Sequence, residues 1–133
     1  MRVGDAILGG MASRTASPLV HPREEELRFL DVVEALSDKL RLGIVAALAE
    51  TPNVPCGGFD LPVGKSASSR HFRILRESGV LRQWDEGTRR LNALRIPECD
   101  RRFPGLLDLA IAEGRAYQVG VTHQPAQLPA YPA

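Results

Sequence analysis

A chain of 133 residues, 44% apolar and 25% charged, has the size and composition of one ordinary globular domain. It holds no apolar run as long as about 18 residues and its early Ala6-Ile7-Leu8 run is too short for a secretory signal, so it reads as a soluble cytoplasmic protein with no membrane span. Two cysteines, Cys56 and Cys99, are too few for a disulfide scaffold, and a net charge of +1 over the whole chain argues against a strongly basic nucleic-acid binder.

Residues 1–22 are rich in Gly, Ala and Ser, carry Pro18 and Pro22 and show no period, which predicts a flexible N-terminal arm. The folded domain is expected over residues 23–115. Its first helix is predicted from Arg23 by the stripe Leu27, Leu30, Val33 and Leu36, with Phe29 and Val32 alongside. Ser37-Asp38 interrupts it with side-chain oxygens suited to free backbone amides, and Leu40, Ile44, Val45 and Leu48 build a second helix that ends before Pro52. Gly43 sits inside that helix at a cost of about 1 kcal/mol relative to Ala. Either the helix tolerates the loss or the position allows a close backbone contact.

Residues 51–64 carry Pro52, Pro55, Gly57, Gly58, Pro62 and Gly64, which leaves room for one short helical turn around Phe59 to Leu61. From Lys65 to Ser78 there is no Gly or Pro, and Gly79 with Val80 supplies a helix stop and its hydrophobic closer. On this helix Ser68, Phe72 and Leu75 share one side, while Ser66, Ser69, Arg70 and Arg73 share the opposite one. Two short extended runs follow, around a turn in Asp85-Glu86-Gly87-Thr88, and predict a β-hairpin with arginines at its rim, closed by Pro97. A last helix is predicted from about Pro104 through Leu106, Leu107, Leu109, Ala110 and Ile111 to Gly114. Residues 116–133, with Pro125, Pro129 and Pro132, read as a disordered C-terminal tail.

This order predicts a mainly α (α+β) winged helix-turn-helix with a two-stranded β-hairpin wing. A helix with short hydroxyls and arginines outward fits the DNA major groove, and a hairpin beside it can lie on the backbone. Ser66 and Ser69 let the helix approach closely, and Arg70 and Arg73 have the reach for guanine edges or phosphates. Lys65 at the helix start and His71 at its flank are assigned to phosphates, and Arg89 and Arg90 to the flanking backbone. Charge supports the division. Residues 64–95 hold Lys65, Arg70, Arg73, Arg76, Arg82, Arg89, Arg90 and Arg95 against Glu77, Asp85 and Glu86, a net +5, so the rest of the chain carries −4.

The run from Lys65 to Leu81 resembles the recognition helix of the ArsR-type winged-helix repressors, which reads roughly S-x-S-x-x-S-x-H-[LF]-x-x-L-[RK]-x-[AS]-G-[LV]-[LIV]. Glu34 to Val45 is similar to that family's A-L-[AS]-D-x-x-R-L-x-I-L segment, and Glu86-Gly87-Thr88-Arg89-Arg90-Leu91-Asn92 resembles its wing. The resemblance spans about residues 25 to 113. It implies a homodimeric repressor that pairs through its terminal helices and places two recognition helices on a palindromic double-stranded operator. Nothing in the sequence names an inducer.

The family's usual metal sites are not expected. The arsenic-type site needs a Cys-x-Cys pair where this chain has Cys56 alone, and the zinc-type site needs histidines on the last helix where residues 97–115 have none. Cys56 and Cys99 suggest an alternative, a thiol switch, against the plainer reading of two unrelated half-buried thiols. No cofactor and no enzymatic activity are expected, since Val63-Gly64-Lys65-Ser66 ends like a phosphate-binding loop but Phe59 stands where that loop needs glycine. A winged helix used only for protein contact is the remaining alternative.

Overall fold

The computed structural model describes residues 19–122. The expectations for residues 1–18 of the arm and 123–133 of the tail, His123 included, lie outside the described residues. The architecture is mixed α and β, with five α-helices and two small antiparallel sheets, one of three strands and one of two, among the described residues. The helices are α1 (Phe29–Leu36), α2 (Lys39–Glu50), α3 (Lys65–Ser78), α4 (Ile96–Arg102) and α5 (Leu106–Gly114). Strands β3 (Leu81–Glu86) and β4 (Arg89–Leu94) form the hairpin, in register from Leu81 opposite Leu94 to Glu86 opposite Arg89, with a two-residue turn at Gly87-Thr88.

Helix α2 runs through the middle of the molecule. Asp38 caps it, its Oδ2 accepting from the amides of Leu40 (3.0 Å) and Arg41 (3.1 Å). Its stretch from Gly43 to Leu48 is buried all round because α5 packs on one side and α1, α3 and β4 on the others. The shared core adds Val32, Ala35 and Leu36 of α1, Phe72 and Leu75 of α3, Val80 of the turn after it, Leu81 of the hairpin, and Leu107 and Ala110 of α5. Each large apolar side chain buried there contributes on the order of 1.5–3 kcal/mol.

The chain differs from the periodicity in five places. The first helix starts at Phe29, because Leu27 is held in an extended backbone by a tertiary contact. Its side chain is 1% exposed and packs on Gly79, and its carbonyl accepts from Arg102 Nη2 at 2.7 Å. Glu24–Glu26 therefore forms only a short 3-10 turn, and α1 buries Val32, Ala35 and Leu36 while Leu30 is 74% exposed. Cys56–Gly58, not Phe59 to Leu61, makes the short helical turn of the Pro- and Gly-rich segment.

That segment also supplies two strands that short length hid. β1 (Val54–Pro55) extends the hairpin as a third strand beside β4, and β2 (Phe59–Asp60) pairs with β5 (Gly120–Val121). Pro97, read as the end of the hairpin, lies in the first turn of α4, which carries Glu98 near its start and Arg101 and Arg102 near its end, the charge order that suits a helix dipole. Finally, the described elements continue past residue 115. Arg115–Tyr117 forms a 3-10 turn, and Thr122 donates its amide to Gly58 O at 2.7 Å, so this end is strapped across α2 and β2.

The strap explains Gly43. A Cβ there would run into the backbone carbonyl of Tyr117, so the position is a close approach between helix and strap. Gly43→Ala should lower unfolding stability by about 1–3 kcal/mol although it raises helix propensity. Urea denaturation measures this, and a midpoint equal to or above that of the parent chain would contradict the close approach.

Candidate nucleic-acid interface

Helix α3 ends at Gly79, whose φ of +95° lies in the left-handed region. The Gly79 amide donates to Arg76 O and the Val80 amide to Leu75 O, each at 3.1 Å, which satisfies carbonyls that a helix end leaves without partners. Leu75 and Val80 are both buried at this junction. The hairpin starts one residue later, so the face of α3 and the direction of the hairpin are set by one tight turn. Phe72 packs on Phe59 at 5.4 Å between ring centroids and holds the inner face of α3 to the core.

The opposite face carries the residues singled out from the sequence. Lys65, Ser66, Ser69, Arg70 and Arg73 are all exposed, and Arg89 is exposed at the hairpin tip. Three predicted contributors differ. Arg90 is engaged by Asp85, with 2.9 Å from Nε to Oδ1 and 3.3 Å from Nη2 to Oδ2. His71, assigned to phosphates, is turned towards α2, where its Nδ1 accepts from Arg41 Nη1 at 3.1 Å and lies 3.9 Å from Asp38. Arg95, counted in the basic patch, is 3% exposed and donates to Pro22 O at 2.7 Å. The outward positive surface is therefore narrower than the +5 of the segment.

Arg41 shows what His71 does in this position. Its Nε donates to Ala35 O (2.7 Å) and its Nη2 to Glu34 O (3.3 Å), so one guanidinium joins the end of α1 to the middle of α3. At Asp38, burial raises the carboxyl pKa, but the amides of Arg41 and Leu40 and the charge of Arg41 outweigh it and leave it below the usual aspartate value.

Sequence reasoning missed the polar pair behind the hairpin. Gln83 and Asn92 are directly opposite in the register and 3% and 0% exposed, and Gln83 Nε2 donates to Asn92 Oδ1 at 2.7 Å. Asn92 Nδ2 donates to Val54 O at 3.0 Å, and Arg76 Nη1 reaches from α3 to Gln83 Oε1 at 2.7 Å. The Gln83 amide donates to His21 Nε2 at 3.0 Å, and burial, with Arg82 and Arg95 nearby, lowers the His21 pKa and favours that unprotonated acceptor. Residues 20–22, expected in the flexible arm, are thus tied to α3 by the Val20 carbonyl, to the hairpin by His21 and to the start of α4 by the Pro22 carbonyl. The sequence signal for this pair was a polar residue on the inward register of each strand.

A cleft of about 310 Å³ opens between α3 and the hairpin, lined by Ser69, Phe72, Arg76, Gln83, Asp85, Thr88, Arg90 and Cys56. Both cysteines are free thiols in separate settings. Cys56 Sγ accepts from Gln83 (3.5 Å) and Asn92 (3.4 Å), and Cys99, buried on α4, faces the Gly79 carbonyl at 3.7 Å. Burial raises both pKa values, Cys99 to about 11, while the Asn92 hydrogen bond and the Arg90 and Arg76 charges partly offset it at Cys56. No group of three or more His, Cys, Asp or Glu side chains among the described residues is placed to hold a metal ion. No described helix is long and apolar enough to cross a membrane. No protein-family model matches the chain, and no curated protein does.

Two outcomes follow for these side chains. A folded-state carboxyl pKa below its unfolded value stabilises at pH above the unfolded pKa, near 3.9, and that contribution is lost as pH falls through the folded value. Asp38→Ala should therefore cost about 1 kcal/mol at neutral pH through the lost cap and show a shallower acid limb in stability against pH. A thiol with a pKa near 11 is thiolate in only about one molecule in a thousand at pH 8. Native Cys99 should react with a disulfide reagent far more slowly than in the denatured chain, with Cys56 also slowed. Full-rate reaction of both thiols in the native state would favour the thiol switch.

Proposed function

We propose that this protein is a sequence-specific DNA-binding transcriptional regulator, a homodimeric repressor of the ArsR type without that family's usual metal sites, built as a winged helix-turn-helix. The observation that carries the reading is the outer face of α3. It presents Lys65, Ser66, Ser69, Arg70 and Arg73 to solvent on a 14-residue helix backed by a buried apolar face, directly before an arginine-tipped hairpin. A helix rooted in this way brings short hydroxyls and two long cations to base edges, where each well-made bidentate contact discriminates by about 1–3 kcal/mol. Arg89 lies at the hairpin tip, where it reaches the sugar-phosphate backbone. His71 serves the interface through Arg41, by fixing the angle of α3.

The terminal helices support pairing of two chains. Phe29 (53% exposed) and Leu30 (74%) on α1 and Leu109 (60%) on α5 leave an apolar face, and Phe29 and Leu109 also line a groove of about 490 Å³ with Phe103, Pro104 and Leu106. A contiguous apolar patch of this kind on so small a domain is the mark of an interface. In the proposed dimer the two faces cover one another and set two α3 helices on a palindromic site.

The test begins with selection of a binding sequence by the purified chain. Arg70→Ala or Arg73→Ala should then weaken the selected site by about 1–3 kcal/mol and relax the preference at one base. Arg89→Ala should weaken all sequences alike and reduce the slope of log affinity against log salt by about one. Leu30→Asp should shift the protein to monomer in sedimentation and weaken binding to the two-fold site. No selectable sequence would contradict the reading and favour a winged helix that binds protein.

A further inference from the structure

We propose that the cleft between α3 and the hairpin binds a small free organic oxyanion, a phosphate monoester or a carboxylate, through Arg76 and Arg90, and that its occupation opposes DNA binding. The regulatory half of this proposal rests on the DNA-binding reading; the site itself does not.

Arg76 stands on the last turn of α3 with its side chain only 12% exposed. Its Nη1 bonds the neutral Gln83 oxygen at 2.7 Å and its Nε the Val20 carbonyl at 3.3 Å, and its ion pair with Glu77 is long, 3.9 Å, to a carboxylate that is itself 59% exposed. A guanidinium offers five N–H donors, so this largely buried cation retains donors without a close anionic partner among the described residues. Across the cleft, Asp85 is the one carboxylate among the lining residues, and it is taken by Arg90. The lining thus carries two guanidiniums and one carboxylate, with the hydroxyls of Ser69 and Thr88 at the rim. Burial lowers the Arg76 pKa, and Arg90 and Arg73 add to that against the opposing pull of Glu77, so an anion in the cleft relieves the group.

The volume sets the size of the guest. About 310 Å³ equals the space of roughly ten waters at 30 Å³ each, more than a bare phosphate fills and near the lower end of small-molecule sites. Phe72 and Cys56 supply apolar walling for a compact body behind the charged head. An oxyanion that takes donors from Arg76 competes with Gln83, the polar tie between α3 and the hairpin. It also occupies the gap beside which the DNA backbone passes in the proposed complex, so oxyanion and DNA exclude one another.

The full-length chain is titrated calorimetrically with phenyl phosphate and with inorganic phosphate, the ionic strength held constant with sodium chloride. The expected result is saturable binding at one site per chain, tighter for phenyl phosphate, and weakened at least about tenfold by Arg76→Gln and by Arg90→Gln in proteins with unchanged circular dichroism. Absence of saturable heat, or an affinity equal to that of the parent chain in either variant, overturns the site. Should Arg76→Gln fail to fold, Arg90→Gln, a substitution at the hairpin surface, decides. A complex with the selected DNA is then titrated with phenyl phosphate against chloride of equal ionic strength. Selective release by phenyl phosphate supports the regulatory half, and equal release overturns it. If the chain binds DNA and Arg76→Gln weakens that binding while no free anion binds, the oxyanion of the cleft is a backbone phosphate and the free effector is overturned. Phenyl phosphate binding without any DNA binding leaves the site standing and overturns the DNA reading.

Discussion

The left-handed turn at Gly79 is the point on which the arrangement of this protein depends. Helix α3 must stop there, because the backbone reverses and the Gly79 and Val80 amides fold back onto the carbonyls of Arg76 and Leu75. The space where a side chain would stand is filled by Leu27, the Gly79 carbonyl faces Cys99 of α4, and the Val80 carbonyl takes the amide of Arg95. Three separate parts of the chain, the junction of α3 and the hairpin, the Leu27 segment and the start of α4, therefore meet around one residue without a side chain. A Cβ at this position would meet Leu27 and also hold an unfavourable φ, so the geometry of helix and hairpin follows from the chemistry of a single glycine.

Around that turn, the apolar and polar contacts do different jobs. The apolar packing of Phe72, Leu75, Val80 and Leu81 supplies most of the energy but is tolerant of small rotations. The hydrogen bonds from Arg76 to Gln83, Gln83 to Asn92 and Asn92 to Val54 are directional and cross α3, β3, β4 and β1 in sequence. Once buried, each polar group loses heavily if its partner moves, so the network specifies one angle between the helix and the hairpin. Arg41, bonded to α1 and to His71, does the same on the other flank of α3. The outward face is thus held at two places by side chains that do not belong to it. In the proposed function those two ties set how a base-reading helix and a backbone-holding hairpin present themselves together.

The parts of the fold legible from the sequence were those governed by local rules. Helix α3 begins at Lys65 and ends at Ser78 as its composition and its Gly79 stop require, and the hairpin turns at Gly87 within the predicted segment. The missed parts have few residues or depend on distant ones. β1, β2 and β5 are two residues long, too short to carry a period, and exist only because a partner strand lies beside them. Leu27 fitted a helical stripe yet left it, since burial against Gly79 outweighs one more helical turn. At the candidate interface, exposure of Ser66, Ser69, Arg70 and Arg73 followed from helical spacing, whereas the inward turn of His71, the burial of Arg95 and the pairing of Arg90 did not.

By itself the sequence determined which helix faces have which chemistry, because residue spacing on an α-helix is fixed by its 3.6-residue period and needs no partner to be read. It also determined where that helix stops, since glycine alone accepts the required backbone angle at little cost. What only the tertiary structure decided is which charges remain available on the surface. Arginine is long enough to reach inward to a carbonyl, sideways to a carboxylate or outward to solvent, and contacts between residues distant in sequence choose among these. Arg95, Arg90 and Arg70 carry the same side chain and take these three courses in one small domain.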